Sequence, residues 1–142
     1  GILMIAGAMG EETTGIGAFI ASVIVPLTAG KSAFILVGLI AVLSCIITNI
    51  ANNIPVGIIL VSVTVPIALD AGINPFLFVV AICIGANLAY TIPPAFVPIG
   101  IAYSDEWCEG KKVFLNGLVM TVISCVVLAL LMYPLGNLVL GV

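Results

Sequence analysis

TNIANNIP, Thr48–Pro55, sets three asparagines, a threonine and a proline into a chain that is otherwise close to continuous hydrocarbon. Moving an unpartnered amide from water into an apolar medium costs roughly 2–7 kcal/mol. Asn49, Asn52 and Asn53 are therefore read as ligands or as members of a polar network. The flanking runs, Ala33–Ile47 and Ile54–Leu69, carry no charge, and neither do Phe76–Tyr90 and Val113–Leu131.

Apolar residues make up 63% of the 142 and charged residues 6%, against about 45–50% and about 25% in an ordinary soluble domain. The mean hydropathy is +1.46. Strands of a membrane barrel alternate apolar and polar positions, whereas these runs are apolar on every face. Backbone in lipid must then satisfy itself as helix, so the expected fold class is all-α integral membrane.

A helix of Ser32 to about Ile47 runs into the polar cluster, and a second leaves it from about Pro55 to Leu69, stopping at Asp70, Ala71 and Gly72. Proline suits a first helical turn, where its missing N–H removes no bond. The cluster is either an aqueous loop between two full crossings or the tip, 48–55, of a re-entrant hairpin over 32–69. Its lack of charge favours the hairpin. Irregular backbone at membrane depth persists only when buried in protein or lining a cavity.

The next helix is expected over Ile73–Tyr90, with Ala81, Gly85 and Ala89 forming a small-residue stripe for close packing and Asn87 in its last turn. TIPPAFVPIG (residues 91–100) follows, with Pro93, Pro94 and Pro98. Each proline removes a donor and disfavours helical geometry in the residue before it. The pattern predicts a broken helix over 73–103, unwound in mid-membrane with free carbonyls.

SDEWCEGKK, residues 104–112, is the charged loop, and Lys111 and Lys112 at the foot of a final helix, 113–135, place it in the cytoplasm by the positive-inside rule. Before residue 32, the stretch 1–30 reads as the end of a glycine-rich helix and an interfacial segment. The chain opens at Gly1 within apolar sequence and is read as a fragment. Cys45, Cys83, Cys108 and Cys125 show no paired ligand spacing and histidine is absent, so the cysteines read as packing residues. No nucleophile with a base, aspartate pair or metal cluster suggests an enzyme.

A polar hairpin tip beside a proline-unwound helix is how many secondary transporters present carbonyls to cations and helix N-termini to anions. In this order the charge-free hairpin with its asparagine turn, the helix ending GANLAY (85–90), the IPPAFVP break (92–98), the lysine-bearing loop and the final helix resemble the C-terminal half of divalent anion/sodium symporters of the ion transporter superfamily. The resemblance implies the second of two inverted repeats, with the N-terminal repeat missing. It also implies a homodimer in the plasma membrane, multi-pass, with lipid and a small anion as partners and no nucleic acid.

The family's hairpin motif Ser-Asn-Thr is matched by Asn52, Asn53 and Ile54, and its Ala-Thr-Pro-Pro-Asn break by Ala95, Phe96, Val97, Pro98 and Ile99. By that resemblance sodium binds Thr48, Ala51, Asn53, Ala95 and Val97, and substrate binds Asn52, Asn53, Ile54, Phe96 and Pro98. Sodium is the coupling ion and no cofactor is implied. The function expected is sodium-coupled symport of a dicarboxylate or sulfate by alternating access. An arsenite-efflux or cation/proton antiporter branch, or a non-transporting assembly subunit, are the alternatives. Ile54 and Phe96 depart from the family pattern and leave the anion open.

A cysteine placed at Asn52 tests the hairpin: as a re-entrant tip it reacts slowly with impermeant thiol reagents and is protected by substrate. Rapid labelling from the cytoplasm alone would instead mean two complete crossings.

Overall fold

The computed structural model describes residues 22, 26, 30, 32–93, 95–104 and 108–140. Apart from Ser22, Pro26 and Gly30, the segment expected over 1–30 lies outside the described residues. Five helices follow Ser32: α1 (Ala33–Thr48), α2 (Asn53–Asp70), α3 (Pro75–Ala86), α4 (Val97–Ser104) and α5 (Gly110–Leu140). Among the described residues the chain is all-helical.

Local chemistry sets these boundaries. Asn52 caps α2, its side chain accepting from the Ile54 N–H at 3.1 Å. Asn74 caps α3 in the same way from Phe76 at 2.9 Å, with Pro75 as the first helical residue. Between them α2 ends at Asp70, and the chain turns away at Gly72, whose φ of 68° favours glycine. There Gly72 N donates to Leu69 O and Ile73 N to Ala68 O, a paired C-terminal closure.

Two helices, Asn53–Asp70 and Gly110–Val139, are long and apolar enough to cross a membrane. At 1.5 Å per residue the 31 residues of α5 reach about 46 Å, more than the roughly 30 Å of hydrocarbon. It runs three residues before and five beyond the expected 113–135. Lys111 and Lys112 belong to its first turn, where Lys112 pairs with Glu109 at 2.9 Å.

Across the bundle the order is α2, α3, α1, α5. Helix α1 packs along both α3 and α5, whereas α1 and α2, neighbours in sequence, touch sparingly because α3 lies between them. Leu36, Val37, Ile40, Leu60, Phe78 and Ile82 form the centre of the core. Much of α5 presents leucine, valine and isoleucine outward, including Leu118, Val122 and Leu130, a surface suited to lipid or further protein.

Small residues permit the close approaches. A Cβ on Gly85 would sit 2.5 Å from the Ala41 carbonyl oxygen and 2.9 Å from Ser44 Cβ, and Ala81 and Ala89 are fully buried. Of the expected stripe, Gly85 lies where α3 meets α1 and Ala81 lies in the core, whereas Ala89 falls beyond the end of α3. Further along, a Cβ on Gly117 would collide with the Tyr90 carbonyl oxygen. The backbone after α3 therefore lies flush against α5.

Gly85→Ala is expected to destabilise the fold by about 1–3 kcal/mol, since backbone must move to admit the methyl. Gly57→Ala, with nothing within 4 Å of its new Cβ, should stabilise by up to about 1 kcal/mol through helix propensity. Thermal unfolding of the two variants in detergent measures both.

Candidate functional site

The site is built where the α1–α2 turn straddles the C-terminal end of α3. One face of α1 carries Ser44, Cys45, Thr48 and Asn49, one helical turn apart in pairs. Ser44 Oγ donates to Ile82 O at 2.9 Å, Thr48 Oγ1 to Ala86 O at 2.8 Å and Cys45 Sγ to Leu88 O at 3.6 Å. These bonds hold α1 to the carbonyls of α3 and of the chain just after it.

The last four carbonyls of a helix lack intrahelical donors, and here each finds one. Cys83 O accepts from Asn87 Nδ2 at 2.8 Å, Ile84 O from Asn87 N, Gly85 O from Leu88 N, and Ala86 O from Thr48. Helix α3 stops at Ala86, four residues short of the expected Tyr90 and well before the first proline. The reason lies in Asn49, whose side chain takes up the backbone groups of residues 88–91.

Asn49 Nδ2 donates to Cys45 O at 2.7 Å and to Leu88 O at 2.9 Å. Its Oδ1 accepts from Tyr90 N at 2.9 Å and Thr91 N at 3.1 Å. The hydroxyls of Thr91 and Thr121 also lie within 3.0 and 3.2 Å of that oxygen. Three backbone groups of the unwound stretch, Leu88 O, Tyr90 N and Thr91 N, are thereby paired. The carbonyls expected to be free are in part taken: Leu88 by Asn49, Thr91 by the Tyr103 hydroxyl at 2.8 Å, and Ile92 by Ala95 N at 3.2 Å.

The three asparagines of the turn hold three different positions. Asn49 is buried in the network, Asn52 caps α2, and Asn53 opens α2 with its Nδ2 3.4 Å from Asn87 Oδ1. Asn53 and Asn87 head an open groove of about 610 Å³ between α2 and α3, walled by Ile54, Gly57, Ser62 and Cys83. That size lies within the range of about 300–1,000 Å³ usual for small-molecule sites.

Of the other residues singled out from the sequence, Ala51 is exposed at the turn and Thr48 is fully buried. Ala95 is buried, Phe96 half-buried, and Val97 and Pro98 exposed. Helix α4 packs on α5, and among the described residues no hydrogen bond joins 95–98 to the tip. The tip instead meets residues 86–91. Asn87 and Thr91, absent from the expected ligand set, lie at that junction, and their placement just before the prolines was the available signal.

Electrostatically the tip is a meeting of helix ends. The C-termini of α1 and α3 bring partial negative charge and the N-terminus of α2 partial positive charge. Such an arrangement can favour a cation and an anion side by side.

The sodium-dependent low-affinity dicarboxylate transporter 1 of Caenorhabditis elegans is 29% identical over 90 residues, covering 63% of this chain and 15% of that protein. The sodium-dependent dicarboxylate transporter SdcS of Staphylococcus saprophyticus is 26% identical over 116 residues, covering 82% of this chain and 22% of that protein. The chain is similar to sodium-dependent dicarboxylate transporters. The resemblance read from its residues is borne out by both relatives, which are named as transporters and not as enzymes. The matched stretch spans about a fifth of these transporters' length. No family model matches the chain.

Asn52→Ala is expected to lower stability by about 1 kcal/mol through loss of the α2 cap, while Asn52→Ser retains most of it. Unfolding midpoints of the two variants, compared with the parent, provide the check.

Proposed function

We propose that this chain forms part of the substrate-carrying domain of a sodium-coupled symporter for small dicarboxylates. The observation that carries this reading is the Asn53–Asn87 pair at the head of the groove, where two helix C-termini and one helix N-terminus converge. Similarity to two sodium-dependent dicarboxylate transporters supports it.

Sodium is a hard cation that suits carbonyl and amide oxygens. Thr48, Ala51 and Asn53 supply them from the tip, with Ala95 and Val97 contributing from the break and Asn87 added by its place opposite Asn53. Substrate carboxylates lie against the α2 N-terminus near Asn52, Asn53 and Ile54, with Phe96 and Pro98 on the side of the break. Among the described residues no lysine or arginine lines the groove, so the dianion relies on amides, the helix dipole and the bound cation.

Alternating access follows if the carrying domain moves as a unit with sodium and anion bound. The hairpin is re-entrant in this reading, supported by the length of α1, whose 16 residues span about 24 Å against roughly 30 Å of hydrocarbon. The complete transporter is a multi-pass plasma-membrane protein with a second, inverted repeat, assembled as a homodimer.

Uptake of a labelled four-carbon dicarboxylate by the full-length protein in proteoliposomes tests the proposal. An inward sodium gradient should drive uptake, and Asn53→Ala should raise the sodium concentration for half-maximal uptake by about tenfold or more, taking a polar contact to a charged group as the scale for an amide oxygen on sodium. Uptake indifferent to sodium, or an Asn53→Ala variant with unchanged sodium affinity, would contradict it.

A further inference from the structure

We propose that Asn49, acting through Thr91, is a positioning residue that locks the hairpin tip to the unwound segment and thereby sets the affinity of the cation site; this rests on the transport reading above. Asn49 is 6% exposed, and every polar group of its side chain is engaged. Both Nδ2 hydrogens are committed, one to Cys45 O and one to Leu88 O. The two backbone N–H groups of Tyr90 and Thr91 occupy the lone-pair capacity of Oδ1, with the Thr91 and Thr121 hydroxyls as further donors in range. A side chain so saturated has no oxygen left for a transported ion. Its role is to hold other groups in place.

The groups it holds are those beside the groove. Asn49 follows Thr48 directly and lies in the turn four residues before Asn53, while Leu88 follows Asn87. The carboxamide pairs with Leu88–Thr91 as a neighbouring peptide would, one N–H to a carbonyl and one oxygen to successive amides. Thr91 Oγ1 closes the connection from the other side, lying 3.0 Å from both the Asn49 carbonyl oxygen and Oδ1. Thr121 Oγ1 of α5 donates to Gly117 O at 2.9 Å and lies 3.2 Å from the same Oδ1. With this latch intact, the spacing between Asn53 and Asn87 is fixed before an ion arrives. Loosening it lets the tip drift from the end of α3, so binding weakens while the moving domain stays folded.

Thr91 is 5% exposed, and Thr91→Val removes its hydroxyl while keeping its shape. Thr91→Ser restores the hydroxyl. In the full-length transporter, Thr91→Val is expected to raise the sodium concentration for half-maximal uptake by about fivefold or more, with the maximal rate within about twofold of the parent. Thr91→Ser should return the sodium affinity to the parent value. A merely structural role would lower the maximal rate through loss of folded protein and leave sodium affinity alone, which would overturn the proposal.

The latch is also read without transport, by spin labels at Ile50→Cys on the tip and Ile101→Cys on α4, both exposed, with Cys83→Ser and Cys108→Ser as background. The distance distribution should broaden in Thr91→Val and narrow again in Thr91→Ser; an unchanged distribution overturns the proposal. If the parent shows no sodium-dependent uptake, the transport reading fails and the affinity half of the proposal with it, while the distances still judge the latch. Should Thr91→Val not fold, Thr121→Val removes a more distant hydroxyl of the same network and is read in the same two ways.

Discussion

A peptide group in hydrocarbon must find a hydrogen-bond partner, and after Ala86 this chain stops supplying one from its own helix. The carboxamide of Asn49 takes over, giving donors to Cys45 and Leu88 and an acceptor to Tyr90 and Thr91. Residues 88–91 can therefore stay outside a helix, with Ala89 fully covered, Thr91 nearly so and Leu88 and Tyr90 half-buried. The position of the tip, the early end of α3 and the contact with α5 at Gly117 all depend on that exchange.

Hydrogen bonding decides which groups face the groove, and packing decides where the groove lies. Gly85 lets α3 approach α1 closely enough for Ser44 and Thr48 to reach carbonyls of α3. With α3 inserted between α1 and α2, the turn has to straddle its end, and Asn53 arrives opposite Asn87. The polar atoms are then concentrated where helix ends converge, while the rest of the groove wall is apolar.

Much of this was legible in the residues. Continuous apolar runs without charge pointed to helices, Asp70–Gly72 marked the end of α2, and Ala81 and Gly85 marked a packing face, whereas the start of α3 at the Asn74 cap was placed two residues too early, at Ile73. The polar turn was recognisable because nothing else in its surroundings resembles it. Less visible was the division of labour among Asn49, Asn52 and Asn53, since one side-chain type serves as buried clamp, helix cap and groove amide according to partners far away in sequence. The break was read from prolines, yet the helix ends seven residues before Pro93, where the Asn49 side chain competes for its backbone. That competition depends on a contact some 40 residues away in the chain, which local pattern does not contain. For the same reason Asn87 and Thr91 were not among the expected ligands, and Ala95–Pro98 were favoured by motif matching alone.

Backbone amide exchange at Tyr90 and Thr91 reports most directly on whether Asn49 replaces the missing helical bonds. Followed by hydrogen–deuterium exchange in detergent, both amides should exchange as slowly as those in the middle of α3, although neither belongs to a helix, and both should accelerate strongly in Asn49→Ala. Exchange at the rate of an unpaired loop in the parent protein would contradict the clamp, and with it the fixed junction between tip and unwound segment.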